Sequence, residues 1–160
     1  MLLAFIIIVN HYIADFICQT TKMATRKSTS IKWLTLHVMV YTVAISPIAF
    51  YLNYKLYGIW WETDFHRIAG SLFLLANFIL HWITDFCTSR MTGFLYKKHL
   101  ELERLISVYG SRPLNSNLDF RKGFLGETWM HWFFCVIGLD QVIHYACLFF
   151  TYEWLINNMN

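Results

Sequence analysis

Residues 67–89 read RIAGSLFLLANFILHWITDFCTS. No Asp, Glu, Lys or Arg falls between Ile68 and Thr84. A run of that length and character matches the ~20 residues an α-helix needs to cross a bilayer. Backbone N–H and C=O groups find no water in hydrocarbon, so the run must be helical. Three other stretches share its character, at about 1–19, 31–54 and 129–152. The expected fold is therefore all-α: a four-transmembrane-helix bundle that makes residues 1–160 one integral-membrane domain.

Composition points the same way. Of 160 residues, 57% are hydrophobic, 19% aromatic and 14% charged, and the mean hydropathy is +0.42. An ordinary soluble domain carries about 25% charged residues. Disordered, disulfide-stapled and soluble globular classes are thereby disfavoured. A net charge of +3 with scattered basic residues offers no nucleic-acid groove. The first stretch lacks the basic n-region and small-residue cleavage site of a signal peptide, and Asn10, His11 and Asp15 interrupt it. The four cysteines form no CxxC pair and read as small buried hydrophobes.

The basic residues set the orientation. Lys22, Arg26, Lys27 and Lys32 flank the first connection, and Arg90, Lys97, Lys98, Arg104, Arg112, Arg121 and Lys122 lie in the third. Only Lys55 and Arg67 remain on the other side. The positive-inside rule makes the basic side cytoplasmic and places the N- and C-termini outside. Trp60, Trp61 and Trp154 fall near the outer ends of spans, and Trp33, Trp129 and Trp132 near the inner ends. In the long cytoplasmic loop, residues 94–109 alternate Leu95, Leu102, Leu105, Ile106 and Tyr109 with Lys97, Lys98, Glu101, Glu103 and Arg104. That pattern predicts an amphipathic helix lying on the membrane interface, followed by a loop over 110–117.

Ionisable groups inside a span are costly, so each is a functional candidate. Here they are almost all His and Asp. His11–Asp15, His81–Asp85 and Asp140–His144 are (i, i+4) pairs, which places each pair on one helix face. His37 lies in the second span at a matching depth. Asp140 reaches the depth of His11 and His81 if the fourth span enters near His131; an entry near Phe124 would make His131 the better partner. An (i, i+4) His/carboxylate pair offers two ligands to one ion or one to each of two, much as Glu-x-x-His does in helix-bundle metal proteins. The pooled metal-ligand set is His11, Asp15, His37, His81, Asp85, Asp140 and His144. Seven ligands exceed a closed structural zinc site. They suit two divalent ions, Zn, Mn or Fe, with positions left for water. A polar network without metal, a haem site and a proton relay are the competing readings, though haem explains none of the Asp residues. Asn77 and Gln19 are read as helix-packing residues or as supports that orient the ligands. Gln141 lies beside a ligand on another face, towards substrate or a neighbouring helix.

A short repeat links the first and third spans: HYIADFICQT at 11–20 and HWITDFCTSR at 81–90. It implies two helical hairpins related about the membrane normal. The fourth span carries DQVIHY at 140–145, the Asp/His order reversed as a helix of opposite direction requires. Together, HYIADFICQ, HWITDF and DQVIHY resemble a family of small bacterial and phage membrane proteins, domain of unknown function 3307. More distantly the chain is similar to small membrane proteins grouped as metal-dependent hydrolases, with HxxxD on transmembrane helices. The resemblance implies a bacterial inner-membrane or phage-encoded protein and favours hydrolysis, without supplying a reaction.

The expected function is a membrane-embedded, divalent-metal-dependent hydrolase acting on a lipid-linked (phospho)ester near the cytoplasmic face. Asp15, Asp85 and Asp140 would act catalytically with the ions. Arg90, one and a half turns past Asp85, would either clamp a phosphate or snorkel as an anchor. The alternative is a metal-binding, metal-transporting or structural interaction protein without hydrolysis. Membrane lipids are the expected partners, and homo-oligomerisation stays open.

Overall fold

A computed structural model describes residues 2–58, 68–109 and 116–159; side chains are described for these except at 2, 106–109 and 116–126. Every regular element among them is helical. α1 (Leu2–Tyr12) runs into a π-helical turn at Ile13–Ile17; α2 is Thr21–Arg26, α3 Ile31–Ala44, α4 Ser46–Tyr57, α5 Ile68–Tyr109 and α6 Ser116–Asn158. The expected anchors Trp60, Trp61 and Arg67, and most of the expected 110–117 loop, lie outside the described residues.

Among the described residues, two helices are long and apolar enough to cross a membrane, within Ile68–Leu105 and Glu127–Asn158. α3 and α4 pass the same test only as a pair bent by 42°. Pro47 lies in the first turn of α4, where its missing N–H and its ring disrupt a continuous helical ladder. The N-terminal apolar helix, Leu3–Ile17, is about 22 Å long at 1.5 Å per residue, short of a ~30 Å hydrocarbon core. The four expected spans thus correspond to two full-length helices, one broken helix and one short one.

The expected interfacial helix is not a separate element. Residues 94–109 continue α5 without a break, giving a helix of 42 residues, about 63 Å long. Between Cys87 and Tyr109 there is no proline, and the Lys98–Glu101 (2.9 Å) and His99–Glu103 (3.3 Å) pairs support successive turns. A rod that continues a segment long and apolar enough to cross a membrane would not lie flat on the surface once that segment crossed. α6 likewise begins at Ser116, well before residue 129. α5 and α6 form the most extensive helix pair, and Phe94–Trp129 and Tyr96–Phe133 ring contacts extend it past the apolar part.

The burial pattern is inverted relative to a water-soluble bundle. Phe5, Ile17, Val43, Phe134, Val142 and Phe150 are exposed, while His11, His37, His81, His144, Asp15, Asp85 and Asp140 are buried. Large exposed apolar surface of this kind marks a membrane or partner face. An apolar core of Tyr41, Ile45, Leu52, Phe73, Leu148 and Tyr152 packs against one end of the polar cluster. At its far side α4 and α5 touch closely: the Gly70 N–H donates to Asn53 Oδ1 (2.8 Å). The cysteines do not fill the core. Cys18, Cys87 and Cys135 are exposed and Cys147 half-buried, all with free thiols, because each sits on the outer face of its helix.

Candidate metal centre

All seven residues singled out from spacing are buried, at 0–8% exposure, and four chain segments bring them together. α5 contributes His81 and Asp85, α3 contributes His37, α6 contributes Asp140 and His144, and α1 with the π turn that follows it contributes His11 and Asp15. In that turn the Cys18 N–H reaches back five residues to the Ile13 carbonyl (2.9 Å). The wider turn re-aims Asp15 relative to His11, and such turns recur at functional sites.

The centre of the cluster is a pair of imidazoles. His37 Nε2 and His81 Nε2 are 3.2 Å apart. Asp15 Oδ1 lies 3.1 Å from the first and 3.7 Å from the second. Asp85 Oδ2 lies 3.1 Å and 3.6 Å from the same two nitrogens. The two halves of the sequence repeat thus set their carboxylates against one His37 nitrogen at equal distances. Atoms that only accept, or hold a lone pair, converge here. They need shared protons or a cation to coexist.

A metal test can be made on these distances. Ligands held ~2.0–2.1 Å from a tetrahedral ion lie roughly 3.4 Å from one another. The Asp15 Oδ1–His37 Nε2–His81 Nε2 triangle, with sides of 3.1, 3.2 and 3.7 Å, fits that spacing. A second triad, His81, Asp85 and His144, is also compact enough to hold an ion. His144 is prepared for the role: Nδ1 lies 2.7 Å from the Asp140 backbone carbonyl, which can only accept, so Nδ1 carries the proton. Its Nε2 is left with a lone pair and, among the described residues, no partner. A backbone carbonyl fixing the tautomer of a ligating histidine is the usual supporting arrangement.

His11 and Asp140 stand beside the triads rather than in them. His11 Nε2 faces Gln141 Oε1 (3.1 Å) and Nδ1 faces the Tyr41 hydroxyl (3.0 Å), so both ring nitrogens are engaged. The Gln141 amide then donates to Asp15 Oδ2 and Asp140 Oδ2, each at 3.1 Å. Asp140 also accepts from the Thr88 hydroxyl. Gln141, expected on another face, is therefore the link between His11 and two carboxylates. Tyr41 additionally stacks on His81 with ring centroids 3.8 Å apart.

Lys27 was the residue that spacing missed. Its ammonium donates to both oxygens of Asp85, at 3.1 and 3.0 Å. Burial alone would push the ammonium down, but the Asp85 and Asp15 carboxylates outweigh it and hold its pKa above the ordinary lysine value. Read in sequence, Lys27 was one of several loop cations. Only the fold of α2 back against α3 turns it inward.

Arg90 packs back on its own helix. Its guanidinium lies 3.5 Å over the Phe86 ring and donates to the Phe86 carbonyl (2.8 Å). His131 is exposed beside Cys135 Sγ (3.5 Å), away from the cluster. Asn77 bonds Thr151 and the Phe73 carbonyl, as a helix-packing residue does. A cleft of about 690 Å³ opens onto the cluster, with Asp15, Asp85, Asp140 and Lys27 on its walls and Phe16, Tyr96, Phe133 and Ile137 among its apolar lining.

Among known proteins, a family described as "Protein of unknown function (DUF3307)" matches residues 2–99. No curated protein and no solved structure matches the chain.

Proposed function

We propose, for a chain that belongs to the DUF3307 family and inherits no assigned reaction from it, a membrane-embedded, divalent-metal-dependent hydrolase acting on a lipid-linked (phospho)ester. The observation that carries this reading is the convergence of Asp15, His37 and His81 at donor-atom spacings of 3.1–3.7 Å, next to a second triad that shares His81. In the proposed arrangement four segments cross a bacterial inner membrane, with both termini outside and the cleft near the cytoplasmic face. Asp15, His37 and His81 would hold one ion, and Asp85 with His144 a second.

Such ions lower the pKa of water towards neutrality and neutralise charge developing on ester oxygens. The chain's own groups would do the rest. Gln141 and Thr88 hold the carboxylates in place. Tyr41 fixes the planes of His11 and His81. Phe16, Tyr96 and Phe133 line the cleft with apolar surface, which suits a lipid arriving sideways from the bilayer.

The test is metal content by elemental analysis of detergent-purified protein, with an absorption spectrum and a panel of lipid phosphates and esters. The expected result is up to two divalent ions per chain, one of them lost in Asp85→Ala, with product released from at least one lipid ester. A Soret band, or no divalent ion after metal-replete purification, would overturn the reading. Bound metal without turnover would favour the metal-binding or transporting alternative. A purely structural polar network draws support from Lys27, which already neutralises Asp85 at 3.0 Å.

A further inference from the structure

The cleft has two polar features that the metal triads leave unused. Lys27 lines it, with a side chain only 17% exposed. Ser89 lines it too, at 6% exposure, and its hydroxyl has no hydrogen-bond partner among the described residues. Lys27 holds Asp85 through both oxygens, at 3.1 and 3.0 Å. One of these, Oδ2, is the oxygen 3.1 Å from His37 Nε2. An ammonium and a divalent ion therefore compete for the same carboxylate, and two cations that close repel strongly where water is scarce.

We propose that Lys27 is a placeholder cation: a divalent ion bound at Asp85 displaces its ammonium into the cleft, where with Ser89 it grips the phosphate of an amphiphilic ligand. This rests on the metal reading above. Lys27 is suited to the exchange because it caps the end of α2, a helix of only six residues, and has a long flexible stem. Once displaced, it would be a nearly buried charge without a counter-ion, which demands an anion. Ser89, with its hydroxyl unpartnered among the described residues, adds a donor on the same wall. Three carboxylates, Asp15, Asp85 and Asp140, also line the cleft and would repel an anion on their own. The phosphate site therefore becomes favourable only once ions have offset them. The apolar Phe16, Phe133 and Ile137 on the same walls fit the tail of such a ligand.

The experiment is Mn²⁺ binding to full-length protein in detergent, followed through the free-ion electron paramagnetic resonance signal. It compares wild type, Lys27→Gln and Lys27→Arg, with and without inorganic phosphate or dodecyl phosphate. Lys27→Gln is expected to bind Mn²⁺ on the order of tenfold more tightly than wild type, while Lys27→Arg, keeping the charge, stays close to wild type. Dodecyl phosphate is expected to tighten Mn²⁺ binding in wild type and to lose that effect in Lys27→Gln. If inorganic phosphate does the same, the phosphate group alone suffices; if only dodecyl phosphate does, the ligand is lipid-linked. Equal or weaker Mn²⁺ binding in Lys27→Gln overturns the placeholder role, and equal phosphate effects in the two proteins overturn the anion site. In both cases Mn²⁺ binding by wild type would leave the metal reading standing. Absence of Mn²⁺ binding in all three proteins overturns both.

Discussion

His81 belongs to both triads, so it is the position where removal should cost most. His81→Ala is expected to leave no tightly held ion. His144→Ala should leave one per chain. His11→Ala, whose two nitrogens face Tyr41 and Gln141, should keep both ions and weaken them about 10–100-fold, as loss of a supporting group does. Elemental analysis of the three variants separates these outcomes. Gln141→Leu strips partners from His11, Asp15 and Asp140 at once. It should lower stability by about 1–3 kcal/mol for the buried groups left unpaired, read from thermal unfolding in detergent with chelator present. At this scale the sequence was informative because His and Asp inside long apolar runs are rare enough to stand out. It could not say which of the seven would face the centre. That depends on the π turn at Ile13–Ile17 and on a glutamine reaching back across the bundle, and neither alters a three-to-four-residue spacing. Lys27 was hidden for a different reason: nothing in a basic loop distinguishes a cation that turns inward from those that meet solvent or headgroups.

Among the elements, α4 and α5 meet at Gly70. A Cβ there would lie 2.9 Å from the Ala49 carbonyl oxygen and 2.8 Å from Asn53 Nδ2, and backbone cannot move aside cheaply. Gly70→Ala is expected to destabilise the protein by about 1–3 kcal/mol through overpacking, measured by denaturant unfolding in micelles. Metal content should be unchanged, because the contact lies on the far side of the apolar core from the triads. The apolar runs were legible as helices, since hydrocarbon permits little else. Their ends were less so. Where a helix stops is decided by a breaker or a cap, and residues 87–109 contain no proline. An amphipathic pattern there describes equally a helix on a surface and one paired with a neighbour. Leu95 and Leu102 are half-buried, on a helix whose ring contacts run to Trp129 and Phe133 of α6. Pro47, in the first turn of α4, accompanies a bend that the unbroken run of hydropathy over 31–54 concealed.

For the whole molecule, the apolar exterior is the property to challenge. Phe150 is 70% exposed on α6, and an arginine at that position would meet lipid. Phe150→Arg, close to the end of the 129–152 stretch, is expected to cost less than the ~2.5–3.5 kcal/mol of insertion free energy that arginine costs at a helix centre, because it can snorkel to the interface, and to reduce the yield in the membrane fraction, while a Phe150→Leu control stays at wild-type levels. The apolar exterior was readable from composition because 14% charge cannot clothe a water-facing surface. The count of full-length spans was not, since a 42° kink and a short first helix leave the hydropathy of each stretch unchanged. The length of α5 has a mechanical consequence. Pinned at Gly70, the rod reaches Asp85 after about 22 Å and its far end at Tyr109 after about 58 Å. Were it to tilt as a rigid rod about that contact, with α6 moving alongside, a sideways displacement at the tip would arrive at the carboxylate reduced to roughly two-fifths. A few ångströms at the tip would then change the spacing between Asp85 and its neighbours by about an ångström.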